Sequence, residues 1–251
     1  MTEAVSRDAP GLGRPRILRQ GWRELAFLHW VVEPARVAQY LPPGTAPDTF
    51  DGRTYVGLVP FRMVDTGLPH GPAAPWLGTF LETNVRLYSV DSTGRRGVVF
   101  LSMDADRVAV VATARSVFGL PYRWARMRHS ELDGLHTYTT TVRWPRVRAA
   151  GSISVKPGAA FTPESLEDFL TARWGLHVAR AGRTWYLPNE HPAWVLRTAE
   201  LVNFTDDGLL ASVGLGELSS RPPDHVAFSD GVPALFGLPS RATTPRAPVR
   251  R

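Results

Sequence analysis

The chain has 251 residues, room for one large domain with a substantial core, with 43% hydrophobic and 21% charged residues, an ordinary globular balance. With no cysteine it can form no disulfide, thiolate nucleophile or cysteine metal site, and no apolar run reaches the roughly 18 residues of a membrane span. The net charge of +6 sits at the ends: residues 1–20 carry +2 and residues 241–251 carry +4, leaving 21–240 neutral. A neutral body has no basic stripe, so no specific nucleic-acid partner and no membrane partner is expected. Lys156 is the only lysine beside 28 arginines, so a single side chain is available for a lysine Schiff base.

Residues 1–20 are polar, rich in Pro, Gly and Arg, and lack a signal peptide's apolar stretch, which predicts a disordered basic tail and a cytoplasmic address. Trp22 to Val32 then reads as a strand with Leu25, Phe27, His29 and Val31 on one side. Glu33-Pro34 opens a short helix through Tyr40, Pro suiting a first turn. Asp51-Gly52 is a turn before a strand over Thr54–Met63. Residues 65–78, with three glycines and three prolines, read as a long loop, and such loops are often lids or binding loops.

The most informative stretch follows. Phe80 to Tyr88 alternates as one strand, so Phe80, Glu82, Asn84, Arg86 and Tyr88 share a face, and Leu81, Thr83, Val85 and Leu87 share the other. Asp91-Ser92-Thr93-Gly94 turns the chain into a strand over Gly97–Met103. Asp104 is placed to cap a helix running to Phe118, after which Gly119-Leu120-Pro121-Tyr122 forms a turn. Strands are expected over 126–129, 135–144 and 150–155, then a helix from Thr162-Pro163 to Arg173. Further strands are expected over 183–187, 194–204 and 209–215, with order ending near Leu238 and residues 241–251 a second basic tail. No linker interrupts 21–240, so the reading is one domain: a β-rich α+β fold, a barrel or sandwich with a few helices.

Motifs for familiar chemistries are missing: there is no G-x-S-x-G elbow, Walker loop or H-E-x-x-H, and Gly214-Leu215-Gly216 lacks the third glycine of a dinucleotide loop. The seven histidines are scattered and Asp104-Ala105-Asp106 is accounted for by helix capping, so neither a metal nor a cofactor is expected.

Several uncommon strings occur in an order that resembles the DUF2071 (YqjF-like) family. They include Phe27-Leu28-His29-Trp30, Leu41-Pro42-Pro43-Gly44, Asp51 to Gly57, Val59 to Met63 and Phe80 to Tyr88. Ala114-Arg115 through Tyr122, Thr171-Ala172-Arg173-Trp174 and Glu190 to Trp194 continue the series, and the match covers residues 20–240. The resemblance implies the acetoacetate decarboxylase-like fold, an antiparallel β-barrel or cone with flanking helices. It also implies a lyase-like site. Arg23 stands 19 residues before Pro42, similar to the decarboxylase's active-site arginine; Glu82 looks like its cavity glutamate and Arg115 like the arginine of its Gly-Arg-Glu string. Where the decarboxylase has Pro-Lys-Lys this chain has Pro121-Tyr122-Arg123, so the Schiff-base lysine is replaced by Tyr122 and its neighbour by Arg123.

The candidate site therefore has Glu82, Tyr122 and Arg115 as catalytic groups and Arg23, Arg86, Asn84, His29 and Arg123 as substrate-binding groups. Each has a plainer reading: a solvated sheet face for Glu82 and Arg86, a turn aromatic for Tyr122, a core histidine for His29. Glu82 and Arg86 lie about 13 Å apart along their strand, too far for a direct pair. A buried Glu82 should meet Arg23, Arg86 or Arg115, or else be desolvated with a raised pKa suited to moving a proton. The expected partner is a small oxo- or carboxylic acid, turned over by enolisation, decarboxylation, dehydration or aldol-type chemistry. A non-catalytic binding domain and a structural or assembly protein are the alternatives, and homo-oligomerisation stays open.

Overall fold

The structure, a computed structural model, describes residues 2–72, 74, 75 and 77–242. The chain runs β1 (Arg16–Val32), α1 (Pro34–Val37), β2 (Thr45–Pro47), β3 (Thr54–Gly67), β4 (Phe80–Asp91), β5 (Arg96–Ala105) and α2 (Val108–Phe118). It continues through β6 (Tyr122–Leu132), β7 (Leu135–Trp144), β8 (Ala150–Ala160), α3 (Ser165–Thr171), β9 (Gly175–Arg180) and β10 (Arg183–Glu190). The last strands are β11 (Arg197–Asp207), β12 (His225–Gly237) and β13 (Ser240–Arg241).

One sheet contains every strand, in the order β13-β10-β9-β5-β6-β7-β8-β11-β12-β1-β3-β4-β2. Further pairings of β4 with β5 and of β10 with β12 bring it round on itself. Closure of this kind removes exposed edges, the usual liability of a β-rich chain. The ring is uneven: β5 meets β9 at one pair of residues, Val98 and Leu176, and the β5–β6 contact is parallel. The remaining ladders are antiparallel, so the expected β-rich barrel or cone is the architecture observed.

β12, β1, β3, β4 and β5 belong to both halves of the ring, which is why their two faces are both buried. On β1, Ala26, Leu28 and Trp30 join Val56, Leu58, Val85, Leu87 and Ile153 inside the closed half. Leu25 and Phe27 face the other way, onto Val59, Phe61, Phe80, Met103 and Tyr122. The alternation on β4 follows the same logic. Val85 and Leu87 enter the closed core and Thr83 hydrogen-bonds Thr140 of β7, while Glu82, Asn84 and Arg86 face the second half. At Gly231 of β12 (φ +119°) a Cβ would lie 1.9 Å from the Trp22 carbonyl oxygen, so only glycine lets β12 and β1 approach there.

Several expectations need correcting. Residues 16–20, expected in a disordered tail, open β1, and the segment before them packs on the body: the Trp174 indole N–H donates to the Ser6 carbonyl, and Arg7 pairs with Asp168. The partner of Arg16 is Gly237, at the other end of the sequence, so nothing local announced this strand. β13 likewise extends order past Leu238, while residues 243–251 of the second expected tail lie outside the described residues. Asp104 does not cap α2; it is buried in β5 against Arg123, and the helix starts at Val108 after an uncapped Arg107. The α3 cap is Glu164, in a reciprocal box with Glu167, and not Thr162. The expected strand over 209–215 is instead a pair of short 3-10 turns (Ala211–Val213 and Gly216–Ser220), started by Asp206 accepting the Leu209 and Leu210 amides. Leu209, Leu210, Leu215 and Leu218 are all buried, and a short apolar run does not reveal whether it is strand or turn. β9 and β12 were not anticipated; Gly231 and Pro233 interrupt the pattern of β12. No helix among the described residues is long and apolar enough to cross a membrane.

Candidate functional site

The half-ring bounded by β1, β3, β4, β5, β10 and β12 holds a cavity of about 300 Å³. Its wall is mostly apolar, with Trp22, Phe61, Phe80, Phe100, Met103 and Trp194 among its side chains. α2 covers one side with Ala109, Val110, Thr113, Ala114 and Phe118. The long loop predicted near residues 65–78 contributes Thr66, Ala74 and Leu77; its Ala73 and Trp76 lie outside the described residues.

Glu82 is the only carboxylate among the described lining residues, and it is 1% exposed. It meets none of the three arginines proposed for it. The Tyr122 hydroxyl donates to its Oε2 at 2.7 Å and the Asn84 amide donates to its Oε1 at 3.2 Å. Desolvation is the dominant influence and pushes the Glu82 pKa up to about 7; the two hydrogen bonds oppose it and nearby Asp104 adds to it. Burial, and then the Glu82 charge, hold the Tyr122 phenol well above its ordinary value, so Tyr122 stays a neutral donor.

Local structure explains how Tyr122 comes to this point. Gly119 ends α2 in the left-handed conformation (φ +70°), with its N–H bonded back to Arg115, and Pro121 prevents helix continuation. Tyr122 then starts β6 alongside Met103 of β5. Arg115 donates to the Tyr122 carbonyl at 2.8 Å and lies over the Trp144 ring. It is not part of the cavity wall, so the geometry gives it a positioning contact and no reach to a ligand.

Arg86 does line the cavity. Its guanidinium lies over the rings of Phe27 and Tyr88, donates to the Leu170 carbonyl at 3.4 Å, and has no carboxylate partner among the described residues. Its buried Nε makes no hydrogen bond. Gly57, opposite on β3, leaves the space: a Cβ there would come within 3.1 Å of Arg86 Cγ and 3.2 Å of Nε.

The other proposed residues lie elsewhere. Arg123 is turned away from the cavity into a bidentate pair with Asp104, Nη2 to Oδ2 being 2.8 Å, and it also donates to Ser212. Arg23 donates to the Trp22 carbonyl at 3.3 Å and stays outside the cavity wall. His29 is fully buried behind the wall, its Nδ1 3.1 Å from His225 Nδ1 and its Nε2 2.7 Å from the Tyr88 hydroxyl. Burial, with the nearby His225 and Arg86, holds its pKa well below the usual histidine value. The lone lysine, Lys156, is exposed on β8, away from the cavity.

Sequence reasoning missed Arg173, Asn189 and His191, all buried and all in the wall. Arg173 pairs with Asp48, which also holds Arg96, and its Nη2 is without a partner. The Asn189 side-chain oxygen is unpartnered too. His191 binds the Pro192 carbonyl through Nδ1, and burial brings its pKa down to about 4. Arg173 and His191 sit within strings that carry the family resemblance, a signal that could have found them; Asn189 had none. Among the described residues no cluster of three or more His, Asp or Glu is arranged to hold a metal.

The uneven β-ring is the acetoacetate decarboxylase-like fold. The chain matches acetoacetate decarboxylase from Legionella pneumophila with a TM-score of 0.60 at 15% identity, over 92% of this chain and 89% of that one. It matches the enduracididine biosynthesis enzyme MppR, solved with HEPES buffer bound, with a TM-score of 0.61 at 16% identity, over 93% and 90% of the two chains. Another structure of MppR is complexed with pyruvate. At such identities the likeness shows the fold. The chain belongs to the DUF2071 family, described as an uncharacterized conserved protein, whose profile matches residues 19–233. Its relative YqjF from Bacillus subtilis strain 168, also described as uncharacterized, is 33% identical over 187 residues, 73% of this chain and 76% of YqjF.

Proposed function

We propose that this protein is a lysine-independent enzyme that enolises a small oxo acid, with Glu82 as the proton carrier. The observation that carries this reading is a buried cavity carboxyl whose hydrogen-bond partners, Tyr122 and Asn84, are neutral and whose pKa is raised to about 7. Such a group takes and returns protons efficiently near neutral pH. Among the described residues no lysine lines the cavity, which removes the Schiff-base route, so the electron sink must be the carbonyl oxygen itself.

The step balances without a further reactant. Ionised Glu82 takes a proton from the carbon beside the carbonyl. The C–H pair becomes the new carbon–carbon double bond, and the carbonyl π pair moves to oxygen. Tyr122 donates to that enolate oxygen, which it can do because protonated Glu82 no longer competes strongly for its hydroxyl. Arg86 supplies the positive charge for the acid group. Enolate formation is shared by dehydration and aldol-type reactions, and a 3-oxo acid that loses carbon dioxide leaves the enolate of the shorter ketone, which the same Tyr122 donor would stabilise. That fold neighbours are acetoacetate decarboxylase and a pyruvate-binding biosynthetic enzyme supports an oxo acid as substrate class.

Proton exchange tests this without knowledge of the product. Oxo acids of increasing length, from pyruvate to 7-oxooctanoate, are incubated in heavy water and followed by proton NMR. The wild type is expected to deplete the signal beside the carbonyl of at least one acid, and Glu82→Gln to leave it at the solvent rate. If wild type binds an acid by calorimetry but exchanges none, the enzyme reading fails and a binding domain is left.

A further inference from the structure

Resting on that reading, the geometry points to an extended acid as the ligand, with its carboxylate and its reacting carbonyl about six bonds apart. A 2-oxo acid such as pyruvate is too short.

The argument starts from the two polar ends of the cavity. Glu82 and Arg86 share one face of β4 four residues apart, a separation of about 13 Å along the strand. The Arg86 side chain runs across β3 over Gly57, its guanidinium lying over Phe27 of β1 and Tyr88 of β4 and bonding the Leu170 carbonyl, and not along β4 toward Glu82. Arg173 stands at the same end, its guanidinium carbon 4.8 Å from the centre of the same Tyr88 ring. Two cations therefore flank one aromatic, and each keeps an unpartnered buried nitrogen, Arg86 Nε and Arg173 Nη2. Asp48, the one acid paired with Arg173, is also shared with Arg96, so this end carries excess positive charge. Buried cationic donors left unpaired are costly, and a ligand carboxylate satisfies them.

Between the two ends the floor is nearly apolar. Asn84 is the only residue of that face between Glu82 and Arg86, and its neighbours across the sheet are Val59 on β3 and Met103 on β5. Taking the backbone separation as that of the two side-chain ends, since both stand off one face, and allowing about 3 Å for each hydrogen-bonded contact, roughly 7 Å remains to be spanned. That is the length of about two residues of extended chain, or six bonds. The volume agrees. At about 300 Å³ the cavity is roughly twice the ~150 Å³ apolar cavity that accepts benzene, which suits a molecule of about a dozen non-hydrogen atoms and leaves much of the space unfilled around pyruvate.

Calorimetry with 7-oxooctanoate, 4-oxopentanoate and pyruvate tests the assignment on the full-length chain, with 2-octanone as the uncharged control. The long acid is expected to bind at least tenfold more tightly than pyruvate. Arg86→Gln should lower the affinity for 7-oxooctanoate at least tenfold while leaving that for 2-octanone within about twofold; Arg86→Lys, which keeps the charge, should lose less. Pyruvate binding as tightly as 7-oxooctanoate overturns the extended-acid assignment, and so does an unchanged affinity of Arg86→Gln for the long acid. Either result leaves the enolisation reading standing if exchange still requires Glu82. Tight, Arg86-dependent binding of 7-oxooctanoate with no exchange of its protons sinks enolisation and upholds the ligand class.

Discussion

Glu82→Gln should change the pH dependence of folding in a way that isolates the Glu82 carboxyl. In the unfolded chain Glu82 releases its proton near 4.5; in the fold, burial holds the proton to about 7. Between those values the native state binds more protons than the unfolded state, so raising the pH costs stability. The loss begins near pH 4.5 and is complete once the pH passes about 7. At about 1.4 kcal/mol for each pH unit, the wild type gives up about 3 kcal/mol over that window. The substituted amide fills the same space and carries no charge, so the variant escapes the penalty. Urea unfolding of both proteins from pH 4 to 8 measures it, because His29, His177 and His191, whose pKa values are depressed by burial, titrate alike in both and cancel in the difference. The expected result is a variant that gains about 3 kcal/mol on wild type between pH 4.5 and 7. A difference that stays flat, or that moves in favour of wild type as pH rises, would show that Glu82 is ionised in the fold and would remove the basis for its role as proton carrier.

Three further outcomes follow from named contacts. Tyr122→Phe removes a hydroxyl that stabilises the charged form of Glu82, so the pH midpoint of proton exchange should move above that of wild type and the rate should fall about 100-fold; an unmoved midpoint would mean that Tyr122 does not govern Glu82. Gly57→Ala places a methyl group 3.1 Å from Arg86 Cγ, and the displaced guanidinium should weaken acid binding by about tenfold or more with the fold intact. Unaltered affinity on calorimetry would take Arg86 out of the carboxylate site. Asp104→Asn leaves buried Arg123 without its counter-charge and should destabilise the protein by about 3–5 kcal/mol in urea unfolding. A loss below about 1 kcal/mol would show that Ser212 and solvent suffice for Arg123.

The sequence by itself determined the β-rich class, the family, and the face of β4. Two-residue periodicity is a local property, so it puts Glu82, Asn84 and Arg86 together on one side whatever the rest of the chain does. The Gly119 to Pro121 turn is equally local, but read locally it leaves Tyr122 in the turn with the next strand from residue 126, whereas β6 begins at Tyr122 itself. Only the tertiary structure decided which groups meet. Glu82 and Tyr122 are 40 residues apart in sequence and joined by one hydrogen bond, and the arginines expected beside Glu82 found other partners: Arg115 and Arg23 took backbone carbonyls, and Arg86 lies over two aromatic rings. The long-range ladders were hidden for the same reason. Arg16 pairs with Gly237, and Asn189 reaches the cavity wall only because β10 joins β12 beside it. Burial completes the account: a carboxyl near 4.5 in the open chain is held at about 7 by the loss of water around it, and that loss is created by residues drawn from the whole length of the chain.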